Sequence, residues 1–272
     1  MTKAIIFSGS HPRHAFVVKN ILEIFDEVIL IVMKREGMLD GVKIYQNEDN
    51  QGLLNIHFNE RLNLENKIFG SLNFNDHFFN GLNIEYSDFS KLNSTKTIEV
   101  IKGFNPDIAF VFGTGLISDR IISMVKCKFI NLHLGLSPWY RGSATLFWPF
   151  YFLEPQFAGI TLHQINSVPD AGNIFHQYTP KLFETDGIHD VGVRCVLDGV
   201  EEAKKLLKTL LADEGIEGIK QNIFGREWRK TDFNSNHLKV IYEMYDNKIV
   251  KAYLQNRLSK RKPKLKSVLN LK

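Results

Sequence analysis

Three polar groups stand where their chemistry draws notice. Asn131 and His133 end the apolar run Phe129-Ile130-Asn131-Leu132-His133, and Asp170 sits in the turn Ser167-Val168-Pro169-Asp170-Ala171-Gly172. Residues two apart on a strand face the same side. If this strand ends at the carboxyl edge of a parallel sheet, the amide and the imidazole both enter the crevice where such sheets bind ligands. An amide N–H can donate to a developing oxyanion, and an imidazole can move a proton. Asp170 can orient the imidazole, although a turn acid before Ala-Gly and a histidine at a strand end are each often structural. Between them, Leu134-Gly135-Leu136-Ser137-Pro138-Trp139-Tyr140-Arg141-Gly142 is a stiff aromatic loop with one guanidinium. Arg141 suits a phosphate, a carboxylate or an ion pair. The set holds no nucleophile, so acyl transfer between bound partners fits it better than covalent catalysis.

The elements that must position these groups read as an α/β protein. Ala4-Ile5-Ile6-Phe7 and Val28-Ile29-Leu30-Ile31-Val32-Met33 are wholly apolar runs, as central parallel strands should be. Between them Pro12 opens a segment whose Phe16, Val17, Ile21, Ile24 and Phe25 recur at helical spacing. Ser8-Gly9-Ser10 is a small-residue turn and not a GxGxxG fingerprint, so it reads as an ordinary βα loop or an anion contact. Further strands are expected at 108–112, 129–133 and 159–165, with an antiparallel partner at 174–178, and a helix from Asp190 to Leu211. Residues 45–97 interrupt the pattern with eleven asparagines; they read as an insertion with surface filler and one helix from Ile56 to Phe69. The expected fold is a Rossmann-like, doubly wound, mostly parallel sheet with a small C-terminal appendage. The expected division is a catalytic domain over residues 1–188 and a helical or extended region over 189–272.

Composition narrows the classes. The chain has 272 residues, 44% hydrophobic and 24% charged, which excludes a disordered protein. Cys127 and Cys195 form no CxxC pair, which argues against a thiolate zinc site and fits a reducing cytoplasm. His133, His163 and His176 lack HxxxH-type spacing, so no metal is expected. No run of 18 apolar residues points to a membrane span, and the N-terminus lacks the apolar stretch of a signal peptide. The net charge of +4 is uneven: residues 251–272 hold eight basic groups and no acid, leaving 26 basic against 30 acidic in the rest. A slightly acidic body does not suit a nucleic-acid backbone. The tail reads as a solvated, partly frayed end or as a contact for nucleic acid or acidic lipid.

Asn131-Leu132-His133, Ser137-Pro138-Trp139-Tyr140-Arg141-Gly142 and Asp170-Ala171-Gly172-Asn173-Ile174 together resemble the folate-dependent formyltransferase family. That family includes methionyl-tRNA formyltransferase, glycinamide ribonucleotide transformylase and the sugar N-formyltransferases. The likeness spans about residues 108 to 178. It departs at Gly135, where Ser is common, and at Ser137, where Leu is common. Gly225-Arg226-Glu227-Trp228-Arg229-Lys230-Thr231-Asp232-Phe233 resembles the compact ending of the sugar enzymes. The resemblance implies that Asn131, His133 and Asp170 are catalytic and that 10-formyltetrahydrofolate is the donor. It also implies that Gly113, Thr114, Leu116, Ile117, Val168 and Asp170 enclose the pterin. The acceptor expected is the primary amine of a nucleotide-linked amino sugar, near Ser10, His11, Tyr140, Arg141 and Gly142. Such an enzyme is expected in the cytoplasm, in surface-glycan precursor synthesis, with a homodimer through the C-terminal region plausible. The rival readings are a methionyl-tRNA formyltransferase, a deformylase and a non-catalytic folate- or nucleotide-binding module.

Overall fold

The computed structural model describes residues 1–33, 48–87, 91–124, 127–222 and 225–269. In chain order the elements are β1 (Lys3–Gly9), α1 (Pro12–Ile21), β2 (Glu27–Met33), α2 (Glu48–Phe69), β3 (Asn83–Ser87), α3 (Thr95–Phe104), β4 (Ile108–Phe112) and α4 (Asp119–Met124). There follow β5 (Lys128–His133), β6 (Tyr140–Gly142), α5 (Trp148–Tyr151), β7 (Ile160–Gln164), β8 (Ile174–Tyr178) and α6 (Ile188–Ala212). The chain closes with β9 (Arg226–Trp228), α7 (Ser235–Lys239) and α8 (Ile249–Leu254).

Seven strands make one sheet in the order β3-β2-β1-β4-β5-β7-β8, parallel as far as β5 and antiparallel from there. This is the doubly wound α/β architecture that the apolar runs require. Side chains alternate across β1: Ala4 and Ile6 join the core shared with α1, α2 and α6, while Ile5 and Phe7 join the core shared with α3 and α4. A strand buried on both faces must be apolar throughout. The strand order reverses between β1 and β4, which opens a crevice at their carboxyl ends.

Two expectations need correction. The stretch read as an insertion at 45–97 is integral to the fold. It supplies β3, the edge strand paired in register with β2 (Ile31 opposite Glu85), and α2, which buries Leu53, Leu54 and Phe69. Residues 45–47 and 88–90 lie outside the described residues. Its helix starts eight residues before Ile56, because asparagines on an exposed face do not break a helix whose other face is packed.

The described part of the basic tail, residues 251–269, is docked and not frayed. Val268 N–H donates to the Phe175 carbonyl at 2.8 Å and Gln177 N–H to that of Lys266 at 2.9 Å, so the chain covers the open edge of β8. An uncovered edge strand is a liability that a basic segment blunts. The C-terminal region, expected as helical or extended, contains β9 from Arg226, which pairs with β6 in parallel.

Candidate active site

β5 carries Asn131 and His133 to the site on one face of the strand. β7 runs antiparallel beside it and sets His163 opposite Asn131 and Thr161 opposite His133. Opposed side chains on paired strands share a face, so His163 enters the same cluster. The turn after β7 returns Asp170 to these groups. Its backbone is left-handed (φ 52°), which an Asp tolerates better than most residues. Gly172 follows because the chain there lies against Gln164, whose carbonyl a Cβ would overlap.

The carboxylate is gripped from all sides. Its Oδ2 accepts the Gly142 N–H at 2.7 Å. Its Oδ1 faces His133 Nδ1 at 3.4 Å, His163 Nε2 at 3.4 Å and Asn131 Nδ2 at 3.5 Å. Behind it, the Gln221 amide donates to the carbonyls of Asp170 (3.0 Å) and Gly172 (2.7 Å).

These contacts assign the tautomers. His133 Nε2 lies 3.0 Å from the Tyr140 carbonyl, which can only accept, so Nε2 carries the proton and Nδ1 presents its lone pair beside Asp170. His163 Nδ1 faces the Gln164 carbonyl at 2.8 Å and is the donor there. Its Nε2 is then an acceptor, and it takes the Asn131 Nδ2–H at 3.1 Å. That bond fixes which end of the Asn131 amide is the nitrogen, and the same nitrogen faces Asp170 Oδ1 at 3.5 Å.

Burial holds the His133 imidazole below its ordinary pKa, partly opposed by the Asp170 carboxylate, so the ring is neutral near pH 7. Burial alone would raise Asp170. The adjoining His133 imidazole when it is protonated, the neighbouring His163 ring and the Gly142 N–H overcome it, and the carboxyl is held far below the usual range. A neutral base thus stands beside an ionised carboxylate, with an amide donor next to both. A proton arriving on Nδ1 would settle between ring and carboxylate.

The remaining expected residues divide. Gly113 (φ 71°) and Thr114 leave β4 level with this cluster, since Val111 pairs with Asn131. Leu116 is 65% exposed and Val168 47%, whereas Ile117 is buried. Asn93, one of the asparagines read as filler, braces this loop: its Nδ2 donates to the Leu116 carbonyl at 2.9 Å and its Oδ1 accepts the Ser118 N–H at 2.7 Å.

Ser10 and His11 lie half-buried at the start of α1, at the carboxyl end of β1. Tyr140 turns its side chain inward, 3.3 Å from Glu154, and serves the cluster through its carbonyl. Arg141 is only 6% exposed and donates to the Gly225 carbonyl at 2.9 Å, so it fastens β6 to the segment entering β9. Gly142 contributes its N–H.

Sequence reasoning passed over His163 and Gln221. The alternation of Ile160-Thr161-Leu162-His163 placed His163 and Thr161 on one face, which was a signal for the first. Gln221 had none.

Comparison with known proteins agrees with this geometry. Residues 72–204 match the family model described as "Formyl transferase". A bifunctional polymyxin resistance protein ArnA from Wigglesworthia glossinidia brevipalpis is 35% identical over 96 residues, 35% of this chain. That stretch is 14% of the relative, so the match spans about a seventh of its length. Among solved structures, a sugar N-formyltransferase from Shewanella sp. aligns with TM-score 0.54 at 16% identity, over 89% of this chain and 87% of that one. A phosphoribosylglycinamide formyltransferase from Anaplasma phagocytophilum aligns with TM-score 0.54 at 17% identity, over 84% and 97%. The formyltransferase PseJ from Anoxybacillus kamchatkensis, solved with a UDP-linked formamido sugar and tetrahydrofolate, aligns with TM-score 0.50 at 18% identity, over 92% and 96%. At these identities the structures share the fold.

Proposed function

The chain belongs to the folate-dependent formyltransferase family, its family domain spanning residues 72–204, and from that premise we propose that it moves a formyl group from 10-formyltetrahydrofolate to the primary amine of a nucleotide-linked amino sugar. One observation carries the reading: Asn131 Nδ2, His133 Nδ1 and His163 Nε2 all lie within 3.5 Å of one carboxylate oxygen, beside a loop that exposes an apolar side chain. Leu116 and Val168 fit the flat ring of a pterin, which needs apolar cover that water does not supply. The complex of PseJ with tetrahydrofolate and a UDP-linked formamido sugar supports the same pairing of donor and acceptor.

When bound, the donor supplies an activated formyl carbon. The C–N bond to the acceptor amine forms, the bond to the folate nitrogen breaks, and one proton moves from the first nitrogen to the second. The Asn131 amide, giving up its long contact with Asp170, donates to the formyl oxygen as charge builds there, an interaction typically worth roughly 3–4 kcal/mol. His133 Nδ1 takes the amine proton, and Asp170 stabilises the imidazolium and returns the ring to its neutral tautomer. His163 holds the Asn131 amide in the donating orientation. On this reading the reaction would run in the cytoplasm, in the making of surface-glycan precursors. Residues 1–188 would form the catalytic unit and 189–272 its support.

The test is a panel of nucleotide-linked amino sugars offered with 10-formyltetrahydrofolate, with product mass as readout. One formylated amino sugar is the expected outcome. Formylation of glycinamide ribonucleotide or of methionyl-tRNA alone would replace the acceptor class, and formate release with no acceptor present would make the enzyme a deformylase.

A further inference from the structure

The loop from Leu134 to Gly142 holds both halves of the acid–base pair. Its Tyr140 carbonyl receives His133 Nε2–H, and its Gly142 N–H binds Asp170 Oδ2. What holds the loop is therefore a question about the chemistry. We propose that Gln177, on β8, is a positioning residue for this site and couples the docked C-terminal segment to the loop that orients His133 and Asp170.

Every polar valence of Gln177 is committed. Its Nε2 donates to the Ser137 carbonyl at 2.6 Å and to Thr161 Oγ1 at 3.2 Å. Its Oε1 accepts the Lys266 N–H at 3.1 Å. Thr161 is equally saturated: Oγ1 donates to the Gly135 carbonyl at 2.7 Å and accepts the Ser137 N–H at 3.0 Å as well as Gln177 Nε2. Gln177, Thr161 and Ser137 are all buried, Thr161 and Ser137 fully.

A hydroxyl offers one donor and two acceptor sites, and a carboxamide two donors and an acceptor oxygen. Breaking these bonds would leave buried polar groups without partners, which is expensive. The chain is continuous. It runs from the Lys266 backbone through Gln177 and Thr161 to Gly135 and Ser137, two and four residues after His133. The covering of the β8 edge by the tail is one end of this chain, so the tail segment contributes to the geometry of the site from outside the crevice.

The inference rests on the formyl-transfer reading for its kinetic test alone. Gln177→Leu keeps the volume and removes the bonds; Lys266→Pro removes the N–H that Gln177 Oε1 accepts, together with the Lys266 Nζ bond to the Lys220 carbonyl, which Lys266→Ala removes alone as a control. Gln177→Leu is expected to lower kcat by about tenfold or more, with KM for donor and acceptor moving less than about twofold, since a small misplacement of reacting groups falls on turnover. The His133 ring, followed by imidazole NMR, is expected to titrate at lower pH than in the unaltered protein. The Tyr140 carbonyl and the Asp170 charge, which favour its protonated form against burial, His163 and Arg141, would be less well aligned. Lys266→Pro is expected to move both readouts the same way by less.

Unchanged kcat and an unchanged His133 titration, with only a lowered melting temperature, would overturn the proposal. If Gln177→Leu does not fold, Lys266→Pro decides on the same two readouts. If the unaltered enzyme formylates no amine, the function reading fails, and the imidazole titration alone decides the role of Gln177.

Discussion

The loop that follows β4 and the loop that follows β5 lie side by side at the carboxyl edge of the sheet, yet they differ in how they are held. Gly113–Ser118 is braced by Asn93, touches Met33 Sδ through the Gly115 N–H at 3.4 Å, and exposes Leu116 to solvent. Leu134–Gly142 is largely buried. It gives carbonyls to Thr161, Gln177, Tyr140 N–H, Thr145 and His133, and N–H groups to Thr161 and Asp170. The contrast matches two demands. A ligand ring needs apolar surface and tolerates small shifts, whereas proton transfer depends steeply on distance. On the proposed reading, one loop binds and the other aligns.

Substitutions can break that division. The largest effect is expected at the aligned side: His133→Ala should lower turnover by about 10²–10⁴-fold, the usual worth of a general base, with donor affinity measured by equilibrium titration unchanged. Asp170→Asn should lose somewhat less turnover and also shift the acid limb of the kcat/KM profile. The limb is expected below the ordinary histidine value near 6.5, because burial disfavours the imidazolium; Asp170 raises it, so removing that charge should move it lower still. An acid limb that rises in Asp170→Asn would remove the carboxylate from its role.

Gly135→Ala sharpens the comparison. An added Cβ would lie 2.6 Å from His133 Nε2 and 2.8 Å from the Tyr140 carbonyl, between the partners of one hydrogen bond. Loss of roughly tenfold or more in kcat with an intact fold by circular dichroism is expected, on the scale that small misplacements produce. His163→Phe should cost roughly tenfold or more in kcat, less than loss of the oxyanion donor itself, since Asn131 stays but its amide is free to turn. The smallest effect belongs to the binding loop: Leu116→Ser should raise KM for the donor about fivefold through lost apolar cover, with kcat nearly constant. Reversal of the last two, kcat falling at Leu116 and KM rising at His163, would erase the distinction between the loops.

Much of this was legible in the chain. The apolar runs at 4–7, 28–33 and 108–112 are strands because a parallel sheet covered on both faces admits nothing else. Asn131, His133 and Asp170 were visible because polar groups at such positions conflict with burial unless they are partnered or used. The supporting groups were not visible, for physical reasons. His163 looks like one polar residue of an alternating strand until the antiparallel register sets it opposite Asn131. Gln177 and Gln221 act through bonds to backbone carbonyls, and no side-chain pattern in sequence reports which carbonyl a glutamine will meet. The asparagine-rich stretch misled because Asn is a poor helix former in general, while Asn93 and α2 are fixed by what they pack against. The tail misled because its charges describe its exposed side and say nothing of the backbone bonds on the other.

Gln221 holds the turn at Asp170 from a point 51 residues further along the chain, beyond the end of α6. Asn131, His133 and Asp170 fall within the 72–204 stretch that matches the formyltransferase model, and this amide does not. A fragment trimmed to the recognisable motifs would keep the reactive groups and lose one of the hands that steady them. The smallest piece able to do the chemistry is therefore longer than the piece that identifies it.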